Sequence, residues 1–285
     1  APSDAPTATP SPSSPGTTTP LTAAPLAFAQ DALVDPVVSG RTLPGIAVRA
    51  QRLENGAWVD RGTTQAKPDG GYTLTLTAGT GELRSDRWRV VAADAASPDI
   101  AVVRTAVLNV AGHAPSRAEV QYSWRDGCPT DYRTLRVLDV NYYGFDGKMH
   151  RGQLVIQAAM QRDFEGLLQT MLDNRFPIRK MRSIEAYQGN DDASAADDNT
   201  SAFNCRRTPL GTYWSEHSHG SAIDINPLEN PYHNAGDVIP PAGKPYLDRA
   251  DARPGMLLPG GPVMTYALAH GWLWLAPTDY QHLER

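Results

Sequence analysis

The sequence predicts a small all-β module followed by an α+β domain, with a disordered segment ahead of both. Three observations carry this prediction. Residues 1–25 are almost wholly Pro, Ser, Thr and Ala, hydrophobic and polar residues then alternate with a period of two up to about residue 122, and helical spacing begins only after that point. We therefore expect a linker at 1–25, a β-sandwich at 26–122 and an α+β domain with a central antiparallel sheet at 123–285.

The first 25 residues have the composition of a disordered tether. They begin APSDAPTATPSPSSPGTTTP, which offers too little apolar surface to offset the entropy lost on folding. Linkers of this kind commonly follow the cleavage site of an exported precursor, and a terminus that starts with Ala instead of Met is typical of a processed chain. We therefore expect a secreted protein.

Residues 26–122 contain short alternating runs separated by turns, a pattern typical of an antiparallel sandwich. The alternating positions are Ile46, Val48, Ala50, Tyr72, Leu74, Leu76, Trp88, Val90, Ala106, Leu108 and Val110. The module resembles the immunoglobulin-like modules that precede catalytic domains in secreted bacterial enzymes. Such a module either contacts the cell wall or acts as a spacer, and the lack of an evident aromatic platform slightly favours the spacer.

Helical spacing first appears between residues 159 and 174. One apolar stripe of an amphipathic helix would contain Phe164, Leu167, Leu168, Met171 and Leu172. Pro177 ends this helix, because proline disfavours helical geometry at the residue before it. A strand is expected around 184–187, a solvated acidic loop at 189–204, a second helix at 263–269 and an aromatic strand at 272–275.

Composition excludes several classes of partner. The net charge is −5 and Lys and Arg are scattered, so the chain lacks the basic patch of a nucleic-acid-binding protein. No run approaches the ~18 apolar residues of a membrane-spanning helix.

The two cysteines, Cys128 and Cys205, do not form a CxxC pair, which argues against a thiolate zinc site and allows one disulfide in an oxidising compartment. A monomer is expected.

The stretch SEHSHGSAID holds the first candidate metal ligands, His217 and Asp224. We expect a strand, a turn at Gly220 and a return strand, which would bring the two side chains to the same depth. Two ligands do not make a zinc site, and a third candidate is His282 in DYQHLE. Asp279 lies three residues earlier and could reach the same centre. Three protein ligands with an open fourth position are typical of catalytic zinc.

With these motifs in order, the chain from Trp124 to Glu284 resembles the M15 zinc peptidases, which include D-alanyl-D-alanine carboxypeptidases and L-alanyl-D-glutamate endopeptidases. The matching motifs are Ser215-x-His217-x-x-Gly220-x-Ala222-x-Asp224, Ile225-Asn226-Pro227, Asn230-Pro231-Tyr232, Gly271-Trp272, Asp279-Tyr280-Gln281-His282 and, upstream, Cys128-Pro129, Gly144-Phe145-Asp146-Gly147, His150-x-Gly152, Phe176-Pro177-Ile178 and Asn199 to Arg206. The amino-terminal module lies outside the resemblance.

The resemblance implies a role for each residue of the site. It implies Zn²⁺ held by His217, Asp224 and His282. It implies Asp279 as general base, Arg206 facing the substrate carbonyl, Ser215 lining the substrate pocket, and a disulfide between Cys128 and Cys205. His219 would be a bystander, at a position where relatives often carry an aromatic residue.

The implied activity is hydrolysis of peptide bonds in peptidoglycan stem peptides by a cell-wall-associated enzyme. A carboxypeptidase acting on terminal D-Ala-D-Ala is favoured, and an endopeptidase between L-Ala and D-Glu is the alternative. Two departures from the family pattern, a shortened segment at 276–278 and Leu283 where phenylalanine is common, could reshape the pocket wall. A non-catalytic wall-binding protein, with the β module as its functional part, is the alternative from another class.

Overall fold

The computed structural model describes residues 19–77, 79–208, 211, 213–234 and 236–285. Residues 1–18 of the predicted linker therefore lie outside the described residues. The described residues divide into two compact units, one formed by residues 19–28, 35–77 and 85–103 and the other by 29–34, 79–84 and the described part of 104–285. The domain boundaries at 25/26 and 122/123 stay predictions. The protein is a mixed α+β structure with several sheets and few helices.

The structure describes eight strands between residues 27 and 105. They are β1 (Ala27–Asp31), β2 (Val37–Arg41), β3 (Ala47–Glu54), β4 (Ala57–Gln65), β5 (Gly71–Thr75), β6 (Ser85–Ala92), β7 (Ala95–Ala96) and β8 (Ile100–Thr105). One sheet has the order β1-β8-β6-β3-β4, with β7 paired to β6, and the second is the antiparallel pair β2-β5. Side chains from both sheets share one buried cluster, which includes Val38, Tyr72 and Trp88.

The strand predicted over Ala106, Leu108 and Val110 is wrong. β8 ends at Thr105, and Asn109 has a left-handed φ of 44°, which interrupts an extended backbone. Leu108 is nevertheless buried, in the core of the second unit. Because Leu108 is buried without being part of a strand, the alternation of apolar residues wrongly indicated a strand there.

In its described residues, the second unit combines short strands with three α-helices and several 3₁₀ turns. Its elements are β9 (Ala111–His113), β10 (Leu135–Tyr143), β11 (Met149–Gln157), α1 (Gln161–Asp173), β12 (Lys180–Met181), α2 (Asp191–Ala196), β13 (Asn199–Thr200), β14 (Ala222–Asp224), β15 (Tyr232–Asn234), β16 (Asp237–Ile239), α3 (Pro262–Ala269), β17 (Leu273–Trp274) and β18 (His282–Glu284). Two three-stranded antiparallel sheets have the orders β11-β10-β9 and β14-β18-β17. The pairs β12-β13 and β15-β16 complete the unit.

The core of the second unit lies between these two sheets and α1. The helix predicted at 159–174 is confirmed as α1, with its predicted apolar stripe buried. Phe164 of this stripe packs edge-on against Trp272, with ring centroids 5.1 Å apart. On the second sheet, Ile223 pairs with Leu283, and both side chains are fully buried. Because successive residues of a strand face opposite sides, their neighbours Asp224 and His282 face away from this core.

Two local predictions in the second unit are wrong. Residues 184–187 form a 3₁₀ helix instead of a strand, because the Ser183 side chain accepts a hydrogen bond from the Glu185 amide at its start. The acidic stretch contains α2, which Asn190 caps by accepting from the Ala193 amide. Within the ranges that the structure describes, no helix is long and apolar enough to cross a membrane.

Candidate metal centre

His217 lies on a 3₁₀ helix, Glu216–His219, and not at the end of a strand as expected. Ser215 explains the difference, because its hydroxyl accepts a hydrogen bond from the His217 amide and starts the turn. Gly220 ends the turn with a φ of +70°. A Cβ there would lie 2.5 Å from the backbone nitrogen of Gln157, so both conformation and space favour glycine.

Strand pairing brings Asp224 and His282 together. β14 and β18 are antiparallel, and these two residues are direct cross-strand partners in their register. Asp224 and His282 are 58 positions apart in the chain, and three backbone pairs, from Ala222↔Glu284 to Asp224↔His282, bring them together. The sheet fixes two of the three predicted ligands, and the capped 3₁₀ helix supplies the third.

Two imidazole nitrogens and the carboxylate of Asp224 converge at this point. The distance from His217 Nε2 to His282 Nδ1 is 3.1 Å, from His217 Nε2 to Asp224 Oδ2 3.1 Å, and from His282 Nδ1 to Asp224 Oδ1 3.1 Å. All three residues are buried. Among the described residues, His217, Asp224 and His282 form a group whose ligand atoms all lie within 4.8 Å of one another, close enough to share one metal ion.

Neighbouring groups fix the tautomers of both histidines. The Nδ1–H of His217 donates to the carbonyl oxygen of Ala202, which leaves the Nε2 lone pair facing the centre. The Nε2–H of His282 donates to the Glu284 carboxylate at 3.0 Å, which leaves its Nδ1 lone pair facing the centre. Two imidazole lone pairs and a carboxylate that meet in a buried space require a cation or a proton between them. This donor set fits zinc, which binds nitrogen and carboxylate ligands.

Electrostatics at the centre favour positive charge. Burial alone would lower the pKa of His282, but hydrogen bonds to Asp224 and Glu284 raise this pKa to about 10. Burial would raise the pKa of Asp224, but the neighbouring His217 holds it well below its usual range. The site therefore stabilises an ionised carboxylate together with a cation.

Asp279 lies in the segment between β17 and β18, beside this centre. Its backbone forms an isolated bridge with Tyr232, and its amide donates to Leu275. Burial and the charge of Asp224 raise the pKa of Asp279 to about 7. The Oδ1 atom of Asp279 is buried and has no hydrogen-bond partner among the described residues. A buried carboxylate oxygen without a partner is costly, so this atom is available to a group that enters the site.

Arg206 and Ser215 lie on the two sides of one hairpin. The Ser215 amide donates to the Arg206 carbonyl at 3.1 Å, and Arg207 and Trp214 form the next bridge. The guanidinium Nη2 of Arg206 is 2.9 Å from the Asp191 carboxylate. Sequence reasoning missed Asp191 because the acidic stretch has the composition of a solvated loop. Sequence reasoning also missed Glu284, although a carboxylate at i+2 on a strand shares the face of His282.

Cys128 and Cys205 form a disulfide, with their Cα atoms 6.0 Å apart. The Cys205 amide also donates to the Ser123 carbonyl at 2.8 Å. Both links join the segment that enters the second unit to the residue that immediately precedes Arg206. The disulfide therefore anchors one end of the hairpin that carries Arg206 and Ser215.

A comparison with protein families finds a match over residues 210–285 to the M15 family model described as D-alanyl-D-alanine carboxypeptidase. Over these residues the chain is similar to the M15 peptidases. The M15 match includes His217, Asp224, Asp279 and His282, and it begins after Arg206. The match supports a metallopeptidase, in agreement with the possible His-Asp-His metal site.

Two further comparisons add little to the M15 assignment. No curated protein matches the chain. One solved structure, titled "Structural basis of T cell specificity and activation by the bacterial superantigen toxic shock syndrome toxin-1", has a chain that is 13% identical, with 31% of this chain and 100% of that chain covered. Its TM-score is 0.26, which is too low to support an argument about this protein.

Proposed function

We propose that the protein is a zinc-dependent D-alanyl-D-alanine carboxypeptidase acting on peptidoglycan stem peptides. The observation that carries this proposal is the convergence of His217, Asp224 and His282 at 3.1 Å, beside the partnerless carboxylate oxygen of Asp279. Three ligands and a nearby free carboxylate are the donor set of a catalytic zinc site. The description of the matched family supports the substrate class.

His217, Asp224 and His282 would hold the metal. Bound zinc supplies Lewis-acid polarisation of a carbonyl and lowers the pKa of a water molecule. Ala202 and Glu284 keep the two imidazoles in the tautomers that present lone pairs to the ion. Both rings are thus oriented with one nitrogen toward the centre, and metal binding would displace the proton that the pKa of about 10 keeps on His282.

Asp279 would act as the general base. Its pKa of about 7 lies near neutral pH, where a carboxylate can accept a proton and later return it. It would take the proton from the attacking water molecule and deliver it to the departing amine. Because its Oδ1 has no partner in the described part of the chain, the proton transfer would break no existing hydrogen bond.

Arg206 and Ser215 would contact the substrate. The guanidinium of Arg206 is always charged and would oppose the negative charge that develops on the carbonyl oxygen during attack. Ser215 is buried and its oxygen accepts from the His217 amide, so its own O–H can be directed to a substrate acceptor. Both residues come from the same hairpin, so one structural element would hold both contacts in a fixed relation.

The experiment that tests this function is digestion of defined stem peptides and purified peptidoglycan, followed by mass spectrometry. A carboxypeptidase removes one alanine from a stem ending in D-Ala-D-Ala, whereas an L-alanyl-D-glutamate endopeptidase releases the stem from D-Glu onward. A chelator should stop the reaction and added zinc should restore it. If the zinc-loaded protein leaves every substrate intact, the non-catalytic wall-binding protein becomes the favoured alternative.

We also propose that the protein is secreted and cell-wall associated, that it is a monomer, and that its first unit is an immunoglobulin-like sandwich. The disulfide supports secretion, because such bonds persist in oxidising compartments. The shared core of the two sheets in the first unit supports the sandwich. Cosedimentation of the full chain with purified sacculi tests wall association, and light scattering tests the monomer.

A further inference from the structure

We propose that Asp191 is a positioning residue that holds the Arg206 guanidinium at the substrate carbonyl. This inference rests on the proposed function. Its basis is one contact, 2.9 Å between Arg206 Nη2 and Asp191 Oδ2, together with the way both ends of that contact are anchored.

The backbone of Arg206 is fixed to the helix that carries His217. The Arg206 amide donates to the Ser218 hydroxyl at 2.9 Å, and the same hydroxyl donates to the Arg206 carbonyl at 2.7 Å. Ser218 is fully buried. The Cα of Arg206 therefore has a set position relative to the centre, and only its side chain remains to be oriented.

Asp191 is anchored independently of Arg206. It is the first residue of α2, whose capping by Asn190 fixes the backbone there. Its Oδ1 accepts a hydrogen bond from Asn204 Nδ2 at 3.3 Å, while Oδ2 faces Arg206. The backbone N–H of Asn204 in turn donates to the His217 carbonyl at 3.1 Å. A continuous set of contacts therefore links the His217 backbone to the guanidinium.

Arg206 needs such an anchor because its side chain is long and its other contacts are few. Its Nε is buried and has no hydrogen-bond partner among the residues that the structure describes. A free guanidinium would lose conformational entropy on ordering and would be attracted to nearby carboxylates.

The test compares Asp191→Asn with Asp192→Asn in the zinc-loaded full chain. Both substitutions remove one negative charge from the first turn of α2, but Asp192 is exposed and Asp191 contacts Arg206. We expect Asp191→Asn to lower kcat by ~10–100-fold on a stem peptide ending in D-Ala-D-Ala, with KM nearly unchanged, because the lost contact acts in the transition state. We expect Asp192→Asn to match the wild type in both constants.

Stability and metal content separate positioning from a structural role. Half-exposed ion pairs contribute little to stability, so the melting temperature and zinc content of Asp191→Asn should equal those of the wild type. Asp191→Glu keeps the charge and should recover part of the lost kcat. Equal kcat for Asp191→Asn and Asp192→Asn would overturn the proposal.

A double-mutant cycle with Arg206→Ala tests whether Asp191 acts through Arg206. In that background Asp191→Asn should have no further effect on kcat. The same fractional loss in both backgrounds would show that Asp191 acts elsewhere and would overturn the proposal. A wild-type protein that hydrolyses none of the stem peptides would instead refute the proposed function, which is a different result from either outcome of the cycle.

Discussion

Asp224 and His282 are cross-strand partners in β14 and β18, and their Oδ1 and Nδ1 atoms are 3.1 Å apart. The pair faces the side of the sheet opposite Ile223 and Leu283, which are buried in the core. The packing that stabilises the sheet therefore also sets the spacing of two candidate ligands. His217 completes the group from a separate element, so its removal tests the centre without altering the strands.

His217→Ala should abolish stable zinc binding. The substitution removes one of three donors and leaves a buried His–Asp pair that cannot complete a zinc site. Elemental analysis after dialysis should find about one zinc per chain in the wild type and far less in the variant. His270→Ala is the control, because His270 is exposed on the turn after α3 and should keep its zinc. Full zinc occupancy in His217→Ala would remove His217 from the ligand set.

Glu284→Ala should weaken zinc affinity by ~10–100-fold, the usual effect of losing a group that orients a metal-binding histidine. The reason is the hydrogen bond from His282 Nε2 to Glu284, which fixes the ring with Nδ1 toward the centre. Glu284→Gln keeps a carbonyl acceptor at the same place and should retain more affinity than Ala. Competition with a chromogenic chelator measures both. Equal affinities for the wild type and Glu284→Ala would show that the β14–β18 pairing alone orients the ring.

Asp279→Asn should keep zinc and lose most activity. The substitution preserves the shape of the side chain but removes its ability to accept a proton, a contribution of ~10²–10⁴-fold in kcat. Steady-state hydrolysis of a D-Ala-D-Ala peptide, with elemental analysis in parallel, measures the two effects separately. Asp237→Asn on the neighbouring strand β16 is the control, because that side chain is exposed. Near-normal turnover in Asp279→Asn would exclude it as the base.

The convergence of His217, Asp224 and His282 could be predicted from sequence only as what a family resemblance implies, since nothing in the spacing places His282 beside residues 58 and 65 positions earlier. The local backbone structure around His217 was predicted less well. Ser215 starts a 3₁₀ helix where a strand was expected, because a side-chain cap can compete with strand pairing over a few residues.

The contact between Asp191 and Arg206 lay beyond sequence reasoning. It depends on α2, a six-residue helix that Asn190 caps, within a stretch whose acidic composition indicates a solvated loop. In contrast, α1 was predictable because five apolar residues recur at helical spacing over 13 residues. Long periodic patterns identify elements reliably, whereas a short helix depends on one cap and its tertiary contacts.

Glu229 gives a prediction about stability and pH. It is almost fully buried, and its Oε1 lies 3.1 Å from the guanidinium of Arg179, which also reaches Asp198 at 3.3 Å. Burial and a hydrogen bond with Asp198 raise the pKa of Glu229 from 4.5 to about 8, although Arg179 acts in the opposite direction. The folded state therefore binds a proton that the unfolded state releases above about pH 4.5.

Because the folded pKa lies above the unfolded value, this contribution to stability is fully present below pH 4.5 and is lost as the pH rises through 8. The free energy of unfolding should fall by about 2–5 kcal/mol across that range on account of this group. Glu229→Gln stays neutral and should remove this part of the pH dependence, so that the variant gains relative to the wild type at pH 8.5. Urea unfolding at pH 5 and pH 8.5 measures the difference. An equal pH dependence in Glu229→Gln and the wild type would show that Glu229 is already ionised in the folded protein, with Arg179 as its dominant partner.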